Sequence, residues 1–325
     1  MSGAPILSTR GLSRTFALGG GLLRTKREVR AVDDVDLDIR PGRTLGLVGE
    51  SGSGKTTLSR LLLQLETPTA GTIAFDGHDL AGADAATLIS FRRSVQPVFQ
   101  NPYASLNPRL TVAATIGEPL RARGVAANDI TPRVARALVS VGLAPADAAE
   151  RPNAFSGGER QRIAIARALA AEARLIILDE AVSSQDVSIR AQLLNLLKDL
   201  QAEHGLAYLF IAHDLPSVRY MSHDIAVMYC GRIVEHGPAD AICDAPRHPY
   251  TRALLASCLP ADPEQAVEPV KAVGEPASPI APPTGCHFHP RCSVALPRCA
   301  VDVPPSTDVA PAHMCRCHLA QPPGL

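Results

Sequence analysis

The sequence predicts an α/β fold built on a mainly parallel sheet, on three observations. From residue 30 to about 235, short apolar runs alternate with helical patterns. Two of those runs, Thr44 to Val48 and Leu175 to Leu178, are unbroken and end in a Gly-rich turn and in two acids, as buried central strands do. The chain has 325 residues, of which 46% are hydrophobic, enough for one large core or two domains and too many for a disordered chain.

Taken in order, Thr44 to Val48 reads as a strand, followed by an apolar helix at Leu58 to Leu65. Between Gln100 and Phe155 the pattern turns helical with Pro- and Ala-rich turns, which predicts an inserted helical subdomain at about 100–165. A helix follows at Arg160 to Ala171, then the strand Leu175 to Leu178. Ile189, Leu193, Leu194, Leu196, Leu197 and Leu200 keep helical spacing from Asp186 to near Gly205, and Leu206 to Ala212 is again strand-like. Residues 260–284 carry seven prolines and little periodicity, so they read as an extended linker between a domain at 1–259 and a Cys-rich segment at 285–325. No internal repeat is present, so each motif occurs once.

Charge narrows the function. Thirty-two Lys and Arg balance 32 Asp and Glu, leaving no overall field to draw the chain to nucleic acid or an anionic membrane surface. No nucleic-acid partner is expected. No apolar run approaches the length of a membrane span, and the start MSGAPILSTR lacks a signal-peptide core. The expectation is a cytosolic chain, or one held at a membrane by a partner.

The motif Gly49-Glu50-Ser51-Gly52-Ser53-Gly54-Lys55-Thr56, with Thr57 next to it, fits G-x-x-x-x-G-K-[ST] between a strand and a helix. Its glycines let the backbone wrap phosphate, Lys55 can reach the β- and γ-phosphates, and Thr56 can supply a hydroxyl to Mg²⁺. Asp179 and Glu180 follow a buried strand at its C-terminal end, where open α/β sheets bind ligands. Asp179 suits an outer Mg²⁺ ligand and Glu180 the polarisation of a water; the same pair could instead be an ordinary helix cap. His213, after the strand Leu206 to Ala212, is a third candidate, though alone such a histidine is more often structural.

Ser156-Gly157-Gly158-Glu159-Arg160-Gln161-Arg162, placed between the phosphate loop and the acidic pair, resembles the signature of the ATP-binding cassette (ABC) ATPases. The resemblance spans about residues 6–258. It implies a P-loop NTPase (RecA-like) cassette that binds ATP and Mg²⁺, with Gln100 as Q-loop, Asp179 and Glu180 as Walker B pair, Asp186 as D-loop and His213 as switch histidine. Phe16 matches the aromatic that stacks on adenine, and is equally what a strand core contains. Gln100 would join Thr56 and Asp179 around Mg²⁺. Ser156, Gly157 and Gly158 open a helix whose N-terminus is an anion site, which this family offers to the ATP of a second cassette.

The run Val98 to Pro108 and the later His248-Pro249-Tyr250-Thr251-Arg252-Ala253-Leu254-Leu255 resemble the ATPase subunits of bacterial oligopeptide and dipeptide importers, a pattern nickel importers share. That implies a second, different cassette, two integral membrane permease subunits, an extracytoplasmic solute-binding protein, and a peripheral place on the cytoplasmic face of the inner membrane. A soluble ABC ATPase outside transport is the other class, marked by paired cassettes or coiled-coil insertions that this sequence lacks. Three departures stand out: Ala181 where Pro is common, Gln185 where an apolar residue is expected to meet the other cassette, and Glu159 for the commoner Gln.

Five of the eight cysteines lie in the last 40 residues, which in a cytosolic chain suggests metal before disulfides. Cys286, Cys292, Cys299 and Cys317 are spaced C-x5-C-x6-C-x17-C without a CxxC pair. The Gly285 to Cys292 stretch and Cys317-His318-Leu319 resemble the peptide-importer tail, in which four cysteines can hold a [4Fe–4S] cluster. Zinc, or cysteines without metal, are the alternatives, and Cys315 could stand in for Cys317. Cys230, Cys243 and Cys258 read as small buried residues.

Overall fold

The computed structural model describes residues 3–18, 27–99, 106–182, 185–257, 280 and 282–322. In chain order its elements begin β1 (Leu7–Leu18), β2 (Arg27–Ile39), β3 (Thr44–Val48), α1 (Lys55–Leu62), β4 (Ala70–Phe75), β5 (His78–Asp79), α2 (Ala85–Ser94) and β6 (Val95–Phe99). Next come α3 (Val112–Ile116), α4 (Glu118–Ala122), α5 (Ala127–Ser140), α6 (Gly157–Ala170), β7 (Leu175–Asp179), α7 (Val187–His204) and β8 (Ala207–Ile211). The chain closes with α8 (Leu215–Met221), β9 (Asp224–Tyr229), β10 (Arg232–Pro238), α9 (Ala239–Asp244), α10 (Pro249–Ser257), β11 (Thr307–Ala310) and β12 (His313–Cys315). None of the described helices is long and apolar enough to cross a membrane.

Two compact units are present. The first combines Met1–Leu7, Ile39–Thr44 and Phe75–Ala212. Its β6, β7 and β8 run parallel, with Phe99 opposite Asp179 and Asp179 opposite Ile211. β7 and β8 are buried along their whole length, which is why they read as unbroken apolar runs. Helices α3 and α5 pack on α6. Arg93, Arg123 and Arg133 converge on Glu172 just beyond α6; at this exposure the cluster fixes orientation more than it adds stability.

The second unit combines Ser8–Asp38, Leu45–Ala74 and His213–Leu325. There β2, β1 and β4 lie side by side. A second set of strands runs β11-β12-β10-β9-β3, with β3 parallel to β9 and the rest antiparallel. Residues 307–315 thus extend the edge of β10, Glu235 facing Cys315 in register.

Two helix starts differ from expectation. The helix expected at Leu58 begins at Lys55, because the phosphate loop, not apolar spacing, sets its first turn. The helix expected at Arg160 begins at Gly157, where Ser156 caps it. The expected linker at 260–284 lies mostly outside the described residues.

Candidate nucleotide-binding residues and the cysteine-bearing tail

The phosphate loop belongs to the second unit. Its Gly54 adopts φ +110°, and a Cβ there would lie 2.2 Å from the Ala31 carbonyl oxygen; a Cβ on Gly49 would meet the Met228 oxygen at the same distance. Only glycine lets the loop close this tightly on its neighbours. The Gly231 N–H donates to the Ser53 carbonyl at 2.8 Å, and the Leu58 N–H to that of Gly54 at 2.9 Å. Lys55 is buried. Its ammonium donates to the carbonyls of Gly49 at 2.7 Å and Glu50 at 3.0 Å, and lies 3.4 Å from Ser53 Oγ. Ser51, Gly52 and Thr56 are exposed and Thr57 half-buried. α1 starts at Lys55 with no side-chain cap on its N-terminus, and a helix N-terminus of this kind can take an anion.

In the first unit, Asp179 ends β7 as a buried acid. Glu180 follows with φ +52° and its N–H donated to the Ile211 carbonyl at 2.9 Å. The left-handed region is uncommon for a residue with a side chain, and Glu180 shares it with six other non-glycine residues among those described. Ala181 and Val182 are both buried behind it. At the signature, Ser156 and Glu159 form a reciprocal capping box. The Glu159 carboxylate accepts the Ser156 N–H and hydroxyl, each at 2.8 Å, and Ser156 Oγ accepts the Glu159 N–H at 3.4 Å. These bonds hold the Glu159 carboxyl below its ordinary pKa, so Glu in place of Gln has a local reason. Arg160 and Gln161 are buried. Arg160 donates to the Pro152 and Asn153 carbonyls, and Gln161 to that of Phe99, which ties the signature helix to the turn before it and to the end of β6. Asp186 caps α7 without a side-chain bond. The Gln185 amide lies against the signature of its own chain, 3.3 Å from where a Cβ on Gly157 would sit, a contact other than the one expected with a second cassette.

The tail packs within the second unit. Phe288 meets Tyr229 edge-on at 5.3 Å and Tyr250 at 5.4 Å. His287 Nδ1 lies 3.0 Å from the Cys230 carbonyl oxygen, and Arg316 pairs with Asp34 at 3.0 Å. Glu235, with no exposed surface, accepts the Arg247 N–H at 2.7 Å, the His248 N–H at 2.9 Å and His313 Nε2 at 2.8 Å.

A family model for the ABC transporter matches residues 32–183, and one for the oligopeptide/dipeptide transporter C-terminal region matches residues 234–299. A probable peptide ABC transporter ATP-binding protein of Sinorhizobium fredii is 46% identical, over 98% of this chain and 90% of that protein. This chain belongs to the ATP-binding proteins of the peptide ABC transporter family. The oligopeptide transport ATP-binding protein AppF of Bacillus subtilis is 44% identical over 97% of each chain. A dimeric post-hydrolysis ATP-binding cassette bound to ADP and phosphate aligns at TM-score 0.61 and 26% identity, covering 72% of this chain and 98% of that one. The fold is that of an ABC ATPase cassette.

Several expected residues of this ABC ATPase are set apart. Gln100 lies outside the described residues, as do Cys258 and the run 101–105. Phe16 is half-buried on β1 with the Arg14 guanidinium 4.5 Å from its ring centre, so one ring face is already covered. His213 is exposed at the start of the turn into α8. Among the tail thiols, Cys286 is raised to about 11, by burial first and by Cys317, Cys299 and Cys292 in the same direction. Cys315 is fully buried in β12. Among the described residues no three His, Cys, Asp or Glu side chains gather as a metal site, so the expected iron–sulfur or zinc centre is not formed by the described side-chain positions. Sequence reasoning missed Arg160, Gln161, Tyr250 and Arg291. All four sit inside the quoted stretches Ser156 to Arg162, His248 to Leu255 and Gly285 to Cys292, without a role of their own.

Proposed function

We propose that this ABC ATPase powers import of di- or oligopeptides, working on the cytoplasmic face of the inner membrane. Its partners would be a second cassette, two integral membrane permease subunits and, through them, an extracytoplasmic binding protein. The observation that carries this reading is that the likeness to peptide-transporter ATP-binding proteins runs through the cassette and on into the C-terminal region. Nickel or another small solute is the alternative cargo.

The chemistry assigned to the residues is in-line attack of water on the γ-phosphate. Lys55 and the N–H groups opening α1 bind the phosphates and offset charge on the equatorial oxygens. Asp179, which is buried, and the exposed Thr56 hydroxyl are the groups assigned to hold Mg²⁺, which would supply positive charge to offset that of the phosphates. Glu180 polarises the water, His213 holds the γ-phosphate, and Gln100 relays its state to the membrane subunits. Phe16 stacks on adenine, while Ser156, Gly157, Gly158 and Asp186 face the nucleotide of the second cassette. Reconstitution in vesicles with labelled peptides tests this: ATP-dependent uptake, lost in Glu180→Gln, is expected. Uptake of nickel and not peptide gives the alternative, and ATPase activity no greater than that of Glu180→Gln overturns both.

We infer further that Cys286, Cys292, Cys299 and Cys317 hold a [4Fe–4S] cluster once the thiols close on iron. Support comes from the donor set, four thiols, and from backbone N–H groups aimed at sulfur: Phe288 toward Cys286, Val294 toward Cys292, Leu296 toward Cys299 and Leu319 toward Cys317. Such bonds favour thiolate. Iron and acid-labile sulfide in anaerobically purified protein, lost in Cys292→Ser, are expected; stoichiometric zinc, or no metal, overturns it.

A further inference from the structure

We propose that Arg291, carried on the tail, is a positioning residue for the phosphate loop. Its guanidinium grips the Glu50 carboxylate with two bonds, 2.8 Å to Oε2 and 3.1 Å to Oε1. Those residues are 241 positions apart in sequence. Arg291 is itself held by Tyr229, whose hydroxyl lies 3.4 Å away, and lies against the Tyr229 and Phe288 rings at 5.9 and 5.8 Å. The bonds to Glu50 push the guanidinium pKa further up, so Arg291 stays charged.

Glu50 is thereby fixed at every polar group. Its N–H donates to the Tyr250 hydroxyl at 2.8 Å, its carboxylate is in the Arg291 fork, and its carbonyl accepts the Ser53 N–H at 3.1 Å and the Lys55 ammonium at 3.0 Å. The Gly49 carbonyl on the adjoining peptide holds the same ammonium at 2.7 Å. A planar fork bound through two nitrogens fixes the carboxylate in direction as well as distance, which a lysine ammonium does not. The chain of contacts runs from the turn His289–Arg291, next to Cys292, through Glu50 to Lys55. Loss of the grip leaves the loop to be ordered at the moment ATP binds, and that cost falls equally on bound substrate and transition state.

The inference rests on the reading of Lys55 as a phosphate ligand. ATPase kinetics of the complete transporter complex test it with Arg291→Met, Arg291→Lys, Glu50→Gln, the Glu50→Gln/Arg291→Met pair and Lys55→Ala. Arg291→Met is expected to raise KM for ATP about tenfold with kcat within about twofold, and Arg291→Lys about threefold. Glu50→Gln should match Arg291→Met, and the double variant should be no worse than either single one, because all remove one interaction. An unchanged KM in Arg291→Met, a kcat loss without a KM change, or KM increases that multiply in the double variant overturns the proposal. If Arg291→Met does not assemble, Arg291→Lys decides, an unchanged KM again counting against it. Lys55→Ala separates the two readings: if it leaves ATP binding intact, the assignment of Lys55 fails first.

Discussion

Glu235→Gln is the sharpest test of how the tail is bound to the cassette. The carboxylate is wholly buried and accepts three donors, the N–H groups of Arg247 and His248 and Nε2 of His313. A glutamine fits the same space but brings one accepting oxygen and one donating NH₂. In either orientation the NH₂ faces a backbone N–H that it cannot accept. An unsatisfied buried donor costs about 1–3 kcal/mol, and the lost charge assistance on the remaining bonds adds roughly 1–2 kcal/mol. The expected destabilisation is therefore about 3–4 kcal/mol, which corresponds to local opening roughly a hundredfold or more easier. Amide hydrogen exchange reads it directly: the Arg247 and His248 amides should lose about that factor of protection, and the 313–315 strand should lose protection with them. Exchange within about threefold of the parent at all of these amides, with an unchanged urea midpoint, would refute the reasoning.

Three further outcomes follow from the same geometry. Gly54→Ala places a methyl 2.2 Å from the Ala31 oxygen at a positive φ, so nucleotide binding measured by fluorescent ATP titration should be lost. His248 is fully buried, and removal from water pulls its pKa from 6.5 down to about 3. The unfolded chain then binds the extra proton, so its stability contribution is complete above pH 6.5 and falls as pH drops below it. The loss is about 2 kcal/mol at pH 5, and denaturant melts of His248→Asn should show a shallower slope over pH 5–6.5. Ser156→Ala removes the N-cap of α6 at a cost of about 1 kcal/mol and Glu159→Gln keeps the capping box, so thermal melts should move for the first and stay within about a degree or two for the second.

The sequence was most readable where one layer of physics decides. Strands 44–48, 175–179 and 207–211 are buried on both faces, which leaves a short, mainly apolar run. The stretches 49–56, 156–162 and 179–180 stand out in the sequence because the chemistry assigned to them needs fixed residue types at fixed spacing. Helix starts were misplaced by three residues at Lys55 and at Gly157, since apolar periodicity begins only after a polar first turn. Contacts at long sequence separation left no periodic trace: Arg291 with Glu50, Tyr250 with the Glu50 amide, His313 with Glu235. The cysteine count gave no sign that Cys315 pairs in register with Glu235.

The pairing of β12 with β10 also bears on how this ATPase is handled. Through β12 the tail supplies hydrogen-bonding partners along β10, including the Arg316 N–H to the Val234 carbonyl at 2.8 Å. A cassette shortened to end before residue 307 would leave that strand as a raw edge beside an acid that has lost His313, one of its three donors, a template on which a second copy could add. Aggregation of such a fragment would then report the missing strand and not a failure of the cassette to fold. The boundary for any isolated ATPase domain therefore belongs after Cys317, and the tail doubles as the cassette's own guard against self-association.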